Sequence, residues 1–331
     1  MTLKVAMVST GNVVSKNYLP FLAQEPDLTF SYFNRTRSKA EACAASFGGQ
    51  VADSIDSLMR AEPDVVFLLS SETGRYELAR NILQHRPKRI FFEKPLVAMQ
   101  GQAHVTEDDF EKGRELLRLA RAGGTETAMI FNYRFFEQTL LARRQVRERD
   151  FGNLTQVTGI VHYNCWSHCI DLIHLFAGPA AEIAALAGPV EHHQSGYEAR
   201  DVAAAFATGG GASGTIIGTA TIDRGFPLFE LTFSYEGGRL TLRDLDGDTE
   251  ILDYRGVRHE TFGLTRDKSR WDQYRHSFDK ALDAYLTSVR QGSEPPVPGL
   301  AGLQELQFEA ALKRSVRLRR PVNVQAEFPL D

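Results

Sequence analysis

The feature that most constrains this fold is a series of short apolar runs that alternate with segments of helical spacing. A short apolar run bounded by polar residues is typical of a buried strand in a parallel sheet. Strands that alternate with helices require right-handed βαβ crossovers, which build a doubly wound sheet. The predicted strands are Leu3–Val8, Leu28–Phe33, Val65–Leu69 and Ile90–Phe92, with a helix over Tyr76–Gln84 between the last two.

The turn after the first strand is a reduced form of the Gly-x-Gly-x-x-Gly dinucleotide fingerprint. Only the middle glycine, Gly11, remains; its missing side chain lets the backbone approach a pyrophosphate. The following helix amino terminus can hold phosphate through its free N–H groups. A plain strand-turn-helix without ligand is the alternative. The cofactor-binding residues predicted here are Ser9, Thr10, Gly11, Asn12 and Val13.

The end of the second strand carries basic residues where an acidic residue usually selects NAD. Arginine pairs with phosphate by charge-assisted hydrogen bonds, so this segment favours NADP over NAD. A basic turn that binds nothing is the alternative interpretation. The predicted cofactor-binding residues are Asn34, Arg35, Thr36 and Arg37.

The next two strands end in polar groups that face the ligand crevice of an open α/β sheet. Ser70 and Ser71 follow the third strand, and Glu93-Lys94-Pro95 follows the fourth. Proline fixes the turn after Lys94. We therefore expect Ser70, Ser71, Glu93 and Lys94 to contact the cofactor; a solvated Glu-Lys pair on the surface is the alternative.

The length of 331 residues predicts two domains, with the boundary near residue 130. Residues 1–130 form the predicted Rossmann domain, which includes a polar loop over Gln100–Glu111, a helix over Lys112–Ala122 and a strand over Ala128–Phe131. Residues 131–331 form the predicted α+β domain for substrate binding and oligomerisation. It begins with a helix over Gln138–Arg147.

The second domain changes to strand periodicity, with hairpin turns at Glu236–Arg239 and Asp246–Asp248. These strands predict a large open, mostly antiparallel sheet, one face of which packs on helices while the other meets a partner subunit. A long helix over Trp271–Arg290 has core spacing. The predicted strands are Leu154–Tyr163, Glu182–Ala187, Val202–Ala207, Ser213–Thr221, Leu228–Tyr235, Arg239–Arg243 and Glu250–Tyr254.

The order of these motifs resembles the glucose–fructose oxidoreductase/inositol dehydrogenase/MocA (Gfo/Idh/MocA) family. The resemblance is carried by the glycine turn, Glu93-Lys94-Pro95, Phe131–Phe135 and the His-x-x-Asp element at His168–Asp171. It continues to Ala310–Ser315 and Arg320–Val322, which are similar to the family's closing helix and strand, and so covers nearly the whole chain.

The resemblance implies NAD(P)-dependent hydride transfer between nicotinamide and a carbinol or carbonyl carbon of a sugar, sugar derivative or cyclitol. His168 would be the base and Lys94 would stabilise charge on the reacting oxygen; a histidine satisfied within its helix is the alternative. Arg134 would bind substrate, and Asp171 would either bind a neighbouring hydroxyl or orient the imidazole. The family generally pairs subunits through the second-domain sheet, which implies a homodimer or homotetramer.

Two departures from the family pattern lie just before His168. Asn164 stands where many members have aspartate, and no glycine-rich loop precedes the helix. Asn164 can still bind a sugar hydroxyl, and Trp166 either stacks on a sugar ring or is buried. The rival interpretation is therefore a catalytically silent NAD(P)-binding sensor or regulator of the same fold.

Composition excludes several other classes of function. The net charge of −4 argues against a nucleic-acid partner, and no apolar stretch reaches the ~20 residues of a membrane helix. Three cysteines and no visible signal peptide predict reduced thiols in a cytoplasmic protein. Zinc is not expected, because His168 and His174 are about 240° apart on a helix; the other candidate ligands are Cys165 and Cys169.

Overall fold

The computed structural model describes residues 2–194, 196–263 and 269–331, which form two sheets joined by shared helices. The first is a six-stranded parallel sheet in the order β3-β2-β1-β4-β5-β6. Its elements are β1 Leu3–Val8, a π-helical turn Val14–Tyr18, α1 Leu19–Leu22, β2 Leu28–Phe33, α2 Arg37–Phe47, β3 Gln50–Val51, α3 Ile55–Arg60, β4 Val65–Leu68, α4 Glu72–Gln84, β5 Arg89–Phe92, α5 Glu107–Gly123 and β6 Glu126–Met129.

The strand order of the first sheet reverses between β1 and β4. Val5 pairs with Phe30 on one side and with Val65 on the other, and every pairing in this sheet is parallel. A reversal of this kind leaves a crevice outside the carboxyl ends of the strands, where such sheets bind dinucleotides. The predicted doubly wound Rossmann sheet is confirmed.

The second sheet has nine strands in the order β14-β13-β12-β11-β7-β10-β9-β8-β15. Its pairings are antiparallel except between β7 and β10, so the predicted mostly antiparallel sheet is confirmed. The parallel pair arises because β10 returns from the β8–β9 hairpin and lies beside β7. The elements are α6 Glu137–Glu148, β7 Leu154–His162, α7 Trp166–Ala177, β8 Ala180–Gln194, β9 Tyr197–Thr208, β10 Ser213–Thr219, β11 Phe229–Tyr235, β12 Gly238–Arg243, β13 Thr249–Asp253, β14 Arg258–Phe262, α8 Arg270–Gln291, α9 Gly299–Leu318, β15 Val322–Asn323 and α10 Val324–Glu327.

The acidic segment before α5 was expected to be a loop, but its second half is the first turn of the helix. Thr106 caps this helix: its side chain accepts a hydrogen bond from Asp109 N, and Asp109 bonds back to the backbone of Thr106. Carboxylates in a first helical turn are stabilised by the free N–H groups there. Helix α4 likewise begins at Glu72, four residues before the predicted start.

Helices from the carboxyl-terminal half complete the core of the first sheet. On α8, Phe278 packs edge-on against Tyr18 with ring centroids 5.3 Å apart, and Tyr285 lies 4.7 Å from Phe91. Helix α9 packs against α5, where a Cβ on Gly113 would meet the side chain of Leu306. The two sheets are therefore held by common helices, which set the shape of the space between them. Within the described residues no helix is long and apolar enough to cross a membrane.

Candidate active site

A cavity of about 300 Å³ lies between the two sheets, at the carboxyl edge of the first. The first domain contributes residues after β5, and the second contributes the turn before α7, the loop after β10 and the start of α8. The lining residues are Lys94, Gln102, Tyr133, Asn164, Cys165, Tyr197, Arg224, Leu228, Leu245, Trp271 and Tyr274.

The ammonium group of Lys94 is oriented by Gln102, a residue that the sequence analysis did not single out. Lys94 Nζ donates to Gln102 Oε1 at 2.9 Å. Gln102 Nε2 donates to the backbone oxygen of Tyr163 and to Tyr197 Oη, both at 2.7 Å. The amide thus ties Lys94 to the second domain. No motif marks Gln102, because its partners lie 61 and 95 residues further along the chain.

Glu93 accepts hydrogen bonds from one side chain and one backbone N–H of the protein. Its Oε1 accepts from Tyr18 Oη at 2.9 Å and its Oε2 accepts from Lys94 N at 2.7 Å. Burial, together with the charge of Glu93, raises the pKa of Tyr18 well above its usual value. In the part of the chain that the structure describes, no carboxylate forms an ion pair with Lys94 Nζ, whose partner is the neutral Gln102.

Arg75 on α4 joins the ends of β4 and β5 beneath Lys94. Its guanidinium is 1% exposed and donates to the backbone oxygens of Glu93 at 2.6 Å and Ser70 at 2.5 Å, and also to that of Pro95. Burial lowers the pKa of Arg75. The sequence held a signal for this role: Arg75 lies four, seven and eight residues before the buried residues Ala79, Ile82 and Leu83, and so shares their helix face.

The turn after β1 keeps two properties that suit a dinucleotide, despite its missing glycines. Ser9 has φ of 76°, the left-handed conformation for which glycine is favoured. A Cβ on Gly11 would meet nothing within 4 Å, which leaves room for a ligand to approach the backbone. Beside this turn, Asn34 Nδ2 donates to Thr10 Oγ1 at 2.9 Å, and the apolar side chain of Val13 is 48% exposed.

The two arginines after β2 differ in their partners. Arg37 forms ion pairs with Glu41 at 2.7 Å and with Asp53. Arg35 is exposed and makes no hydrogen bond or ion pair to any described residue. On the other side of the reversal in strand order, the hydroxyl of Ser70 is buried without a partner among the described residues, whereas Ser71 bonds to Thr73 Oγ1 at 3.1 Å. These groups fit a dinucleotide laid over the strand ends, with Arg35 at its far end.

His168 does not line the cavity, which corrects the expectation that it faces the reacting oxygen beside Lys94. Its ring is 2% exposed and stacks behind Tyr133, with ring centroids 4.0 Å apart and an interplanar angle of 10°. Burial lowers the pKa of His168 well below its usual value, and the charge of Lys94 lowers it further. The short turn Tyr163–Cys165 leads directly into α7, so the first turn of that helix lies inside the core.

Asp171 and Arg134, which were both predicted to bind substrate, bind each other in this structure. Arg134 Nε and Nη2 donate to the two carboxylate oxygens at 2.7 and 2.5 Å, and Asp171 is 1% exposed. Burial raises the pKa of Asp171, and the guanidinium of Arg134 opposes that shift. A buried bidentate pair fixes α7 to the segment after β6.

The two remaining candidates, Asn164 and Trp166, differ in whether they face the cavity. Trp166 is 2% exposed and packs edge-on against Tyr163 at 5.8 Å, so it is a core residue and not a stacking surface for a sugar. Asn164 lines the cavity, and its backbone N–H donates to His162 Nδ1 at 3.1 Å. The side-chain amide of Asn164 makes no hydrogen bond to a described residue, which leaves it for a ligand.

All three cysteines are buried free thiols. Cys165 accepts a hydrogen bond from Tyr133 Oη at 3.2 Å, and burial raises its pKa to about 12. Over the described ranges, no cluster of three or more His, Cys, Asp or Glu side chains is arranged to hold a metal ion.

Sequence comparison identifies the first domain. Residues 3–125 match the model of the Gfo/Idh/MocA family, described as an oxidoreductase family with an NAD-binding Rossmann fold. Residues 3–125 are therefore similar to the Rossmann domain of the Gfo/Idh/MocA oxidoreductase family. The resemblance drawn from Glu93-Lys94-Pro95 and the reduced glycine turn is therefore confirmed. Comparison with curated proteins gives no significant match.

Solved structures share the fold of the whole chain. An oxidoreductase from Agrobacterium radiobacter, in complex with NAD+, L-tartaric acid and magnesium, has a TM-score of 0.81 at 14% identity, over 99% of this chain and 100% of that one. The WlbA dehydrogenase from Bordetella pertussis, in complex with NADH and UDP-GlcNAcA, has a TM-score of 0.77 at 17% identity, over 97% of each chain. A putative myo-inositol dehydrogenase from Sinorhizobium meliloti has a TM-score of 0.74 at 17% identity, over 98% of this chain and 100% of that one. These similarities show that the fold of the whole chain, including the second sheet, is shared with these solved structures.

Proposed function

We propose that this protein is an NAD(P)-dependent oxidoreductase that interconverts a carbinol and a carbonyl carbon of a sugar, sugar derivative or cyclitol. The observation that carries the proposal is the position of Lys94: a cation without a carboxylate partner among the described residues, at the mouth of a dinucleotide crevice and in the wall of a sugar-sized cavity. Relatives of the same fold were solved with NAD+ or NADH and with a sugar derivative.

The protein's own contribution is to hold the reacting oxygen and move one proton. Bound NAD(P) supplies or accepts the hydride. In the reductive direction the ammonium of Lys94 donates a proton to the carbonyl oxygen, and the reverse transfer removes the hydroxyl proton. A fixed cation stabilises charge on that oxygen as it develops, and Gln102 and Arg75 keep Lys94 in place. Neutral His168 supports Tyr133 from behind.

For the cofactor we propose NADP over NAD, with Arg35 on the 2′-phosphate. Arg35 is the arginine of this segment whose guanidinium is not already paired with carboxylates, since Arg37 binds Glu41 and Asp53. The pyrophosphate would lie against Ser9–Val13, where Gly11 leaves open space. Asn34 and Thr36 would flank the ribose, and Ser70, Ser71 and Glu93 would line the inner half of the cofactor.

We further propose a homodimer or homotetramer that pairs the outer faces of the second sheet. A row of apolar side chains crosses four strands of that face: Ile160 is paired in register with Ile217, Ile217 with Ala203, and Ala203 with Leu186. Ile160, Ile217 and Leu186 are 45%, 42% and 72% exposed. A contiguous apolar patch of this kind favours burial against a second copy. Three free thiols fit a cytoplasmic location.

Solution mass at micromolar concentration tests the oligomer. Leu186→Asp should yield monomers, whereas Val257→Asp, at an apolar residue that is 90% exposed in the turn between β13 and β14, should leave the mass unchanged. A parent protein of monomeric mass would contradict the proposal.

A silent NAD(P)-binding sensor is the second candidate function, favoured by Asn164 at the aspartate position and by the burial of His168. A screen of sugars, inositols and their oxo-derivatives with both cofactors separates the two. Nicotinamide oxidation or reduction that requires Lys94 supports the enzyme. Tight cofactor binding with no turnover of any polyol or oxo-compound would support the sensor.

A further inference from the structure

Besides Lys94, four residues of the cavity lining carry an O–H or S–H group: Tyr133, Cys165, Tyr197 and Tyr274. Two of these groups bind each other, because Tyr133 Oη donates to Cys165 Sγ at 3.2 Å. Burial raises the pKa of the Cys165 thiol to about 12, so it stays protonated at neutral pH, and a thiol is a weak donor. The hydroxyls of Tyr197 and Tyr274 are therefore the strong neutral donors that remain for a ligand.

The amide of Gln102 fixes the direction of the hydrogen bonds around it. Lys94 Nζ can only donate, and the backbone oxygen of Tyr163 can only accept. Oε1 therefore faces Lys94 at 2.9 Å, and Nε2 faces the Tyr163 oxygen at 2.7 Å. Tyr197 Oη lies 2.7 Å from the same Nε2 and accepts its second hydrogen. An accepted hydrogen bond does not use the proton of the phenol itself.

The hydroxyl proton of Tyr197 has no acceptor within the described part of the chain. Gln102 is the one hydrogen-bond partner of Tyr197 Oη there, and it acts as the donor. The side chain is half-buried and lines the cavity. Burial raises the pKa of Tyr197 to about 12, so the group is a neutral phenol at physiological pH. Its O–H is thus available to a ligand in the cavity.

Lys94 and Tyr197 present their free hydrogens at the same end of the cavity. Lys94 Nζ carries three hydrogens, and Gln102 is its one acceptor among the described residues. One amide joins the ammonium to the phenol, so the two groups are two hydrogen bonds apart although they come from different domains. An oxygen held between two such donors is stabilised as it gains negative charge.

We infer that Tyr197 is a further catalytic residue, whose hydroxyl donates a hydrogen bond to the reacting oxygen while Lys94 exchanges the proton with it. The inference rests on the proposed function, because the reacting oxygen is that of the carbinol or carbonyl group. The second donor then comes from the first residue of β9 and not from α7, where His168 is buried behind Tyr133.

The step balances in both directions. In reduction the carbonyl carbon accepts a hydride from bound NAD(P), and the electron pair of the C=O π bond moves to the oxygen. That oxygen takes a proton from Lys94, which is left as a neutral amine and regains a proton from water. Tyr197 keeps its proton throughout. Oxidation reverses each transfer.

The test removes the hydroxyl of Tyr197 and leaves its ring. Tyr197→Phe keeps the edge-on contact with His162, whose ring centroid lies 5.5 Å away. The single-turnover rate of hydride transfer is followed by nicotinamide absorbance, with the substrate found in the screen of sugars and inositols. We expect this rate to fall about 10²-fold while KM stays within about threefold, since the lost donor acts in the transition state. Tyr254→Phe, at an exposed phenol outside the lining, is the matched control and should change neither value.

A second variant reverses the hydrogen bond without touching Tyr197. Gln102→Glu replaces the amide donor by a carboxylate, which still accepts from Lys94 but also accepts the phenol proton. Its hydride-transfer rate should fall at least tenfold. Adding Tyr197→Phe to this variant should lower the rate by less than a further threefold, because the hydroxyl has already been withdrawn from the ligand. A tyrosine that only supports the fold would show multiplied effects. Circular dichroism shows that each variant is folded.

Failure of this inference is distinguishable from failure of the proposed function. A Tyr197→Phe protein that transfers hydride within about threefold of the parent rate would overturn the inference alone. A loss confined to KM would also overturn it, because Tyr197 would then hold a neighbouring hydroxyl. A larger loss of rate in Tyr274→Phe would assign the donor to Tyr274 instead. A parent protein that turns over no polyol or oxo-compound would overturn the proposed function, and the inference with it.

Discussion

The two walls of the cavity are built in opposite ways. On the first-domain wall, Lys94 is fixed by Gln102, its backbone by Glu93, and the strand ends beneath it by buried Arg75. On the second-domain wall, the predicted polar groups are withdrawn: His168 lies behind Tyr133, and Asp171 is bound to Arg134. Aromatic and amide side chains face the cavity there. The proposed reacting group, Lys94, is thus held by hydrogen bonds on one wall, whereas the other wall presents aromatic and amide side chains.

The two departures from the family pattern, Asn164 and the short turn before α7, both lie on the second-domain wall. A turn of Tyr163–Cys165 draws the first residues of α7 into the core, which removes His168 and Trp166 from contact with a ligand. On the first-domain wall Lys94 follows the end of β5, and no short turn draws it into the core.

The difference between the two walls is tested most directly by removing one residue from each. Lys94→Ala should lower turnover by ~10²–10⁴-fold, the range for loss of a general acid or base. His168→Ala should lower it by no more than about tenfold, since the imidazole contacts Tyr133 and not the cavity. Turnover is measured on variants shown to be folded by circular dichroism. Equal losses in the two variants would restore His168 as a catalytic base.

The support beneath Lys94 is tested by Arg75→Met. This change leaves the carbonyls of Ser70, Glu93 and Pro95 without their donor, so the free energy of unfolding should fall by about 3 kcal/mol. Chemical denaturation measures it, with Arg80→Met, a half-exposed arginine on the same helix, as the control. Turnover of the folded fraction should fall as well. A variant as stable as the parent would show that Arg75 does not hold this wall.

His174, a second histidine on α7, gives a pH dependence with a definite sign. Burial lowers the pKa of His174 to about 4, and both its ring nitrogens are buried without a partner among the described residues. The unfolded state therefore binds the proton first, so stability is lost as pH falls below about 6.5. Between pH 7 and pH 5 the parent should lose about 1 to 2 kcal/mol more than His174→Phe.

Denaturation of both proteins at the two pH values measures this difference, and groups common to both cancel. Burial raises the pKa of Glu309 to about 7, so its titration changes stability with pH in the opposite direction to that of His174. Glu309 is present in both proteins, and its contribution therefore cancels. An identical pH slope in parent and variant would mean that His174 is not held neutral by the fold.

The smallest expected effect concerns the cofactor end of the first wall. Arg35→Ala should weaken NADPH binding by about tenfold and leave NADH binding unchanged, since it removes one charge-assisted contact to phosphate. Lys39→Ala, an exposed cation on α2, is the control for general loss of charge. Titration of both cofactors measures the ratio. A parent protein that binds NADH as tightly as NADPH would refute the preference.

The sequence by itself determined the features that rest on local pattern. Apolar runs and helical spacing predicted the Rossmann order and most strands of the second sheet, because strand and helix periods are properties of neighbouring residues. Lys94 could be placed at the crevice for the same reason: it directly follows a buried strand. Tertiary structure alone decided what each polar group contacts. The bond from Lys94 to Gln102, the burial of His168 behind Tyr133 and the pairing of Asp171 with Arg134 join residues 8, 35 and 37 positions apart. Such contacts depend on how helices and sheets pack, and packing is set by the summed fit of many side chains, which no short motif encodes.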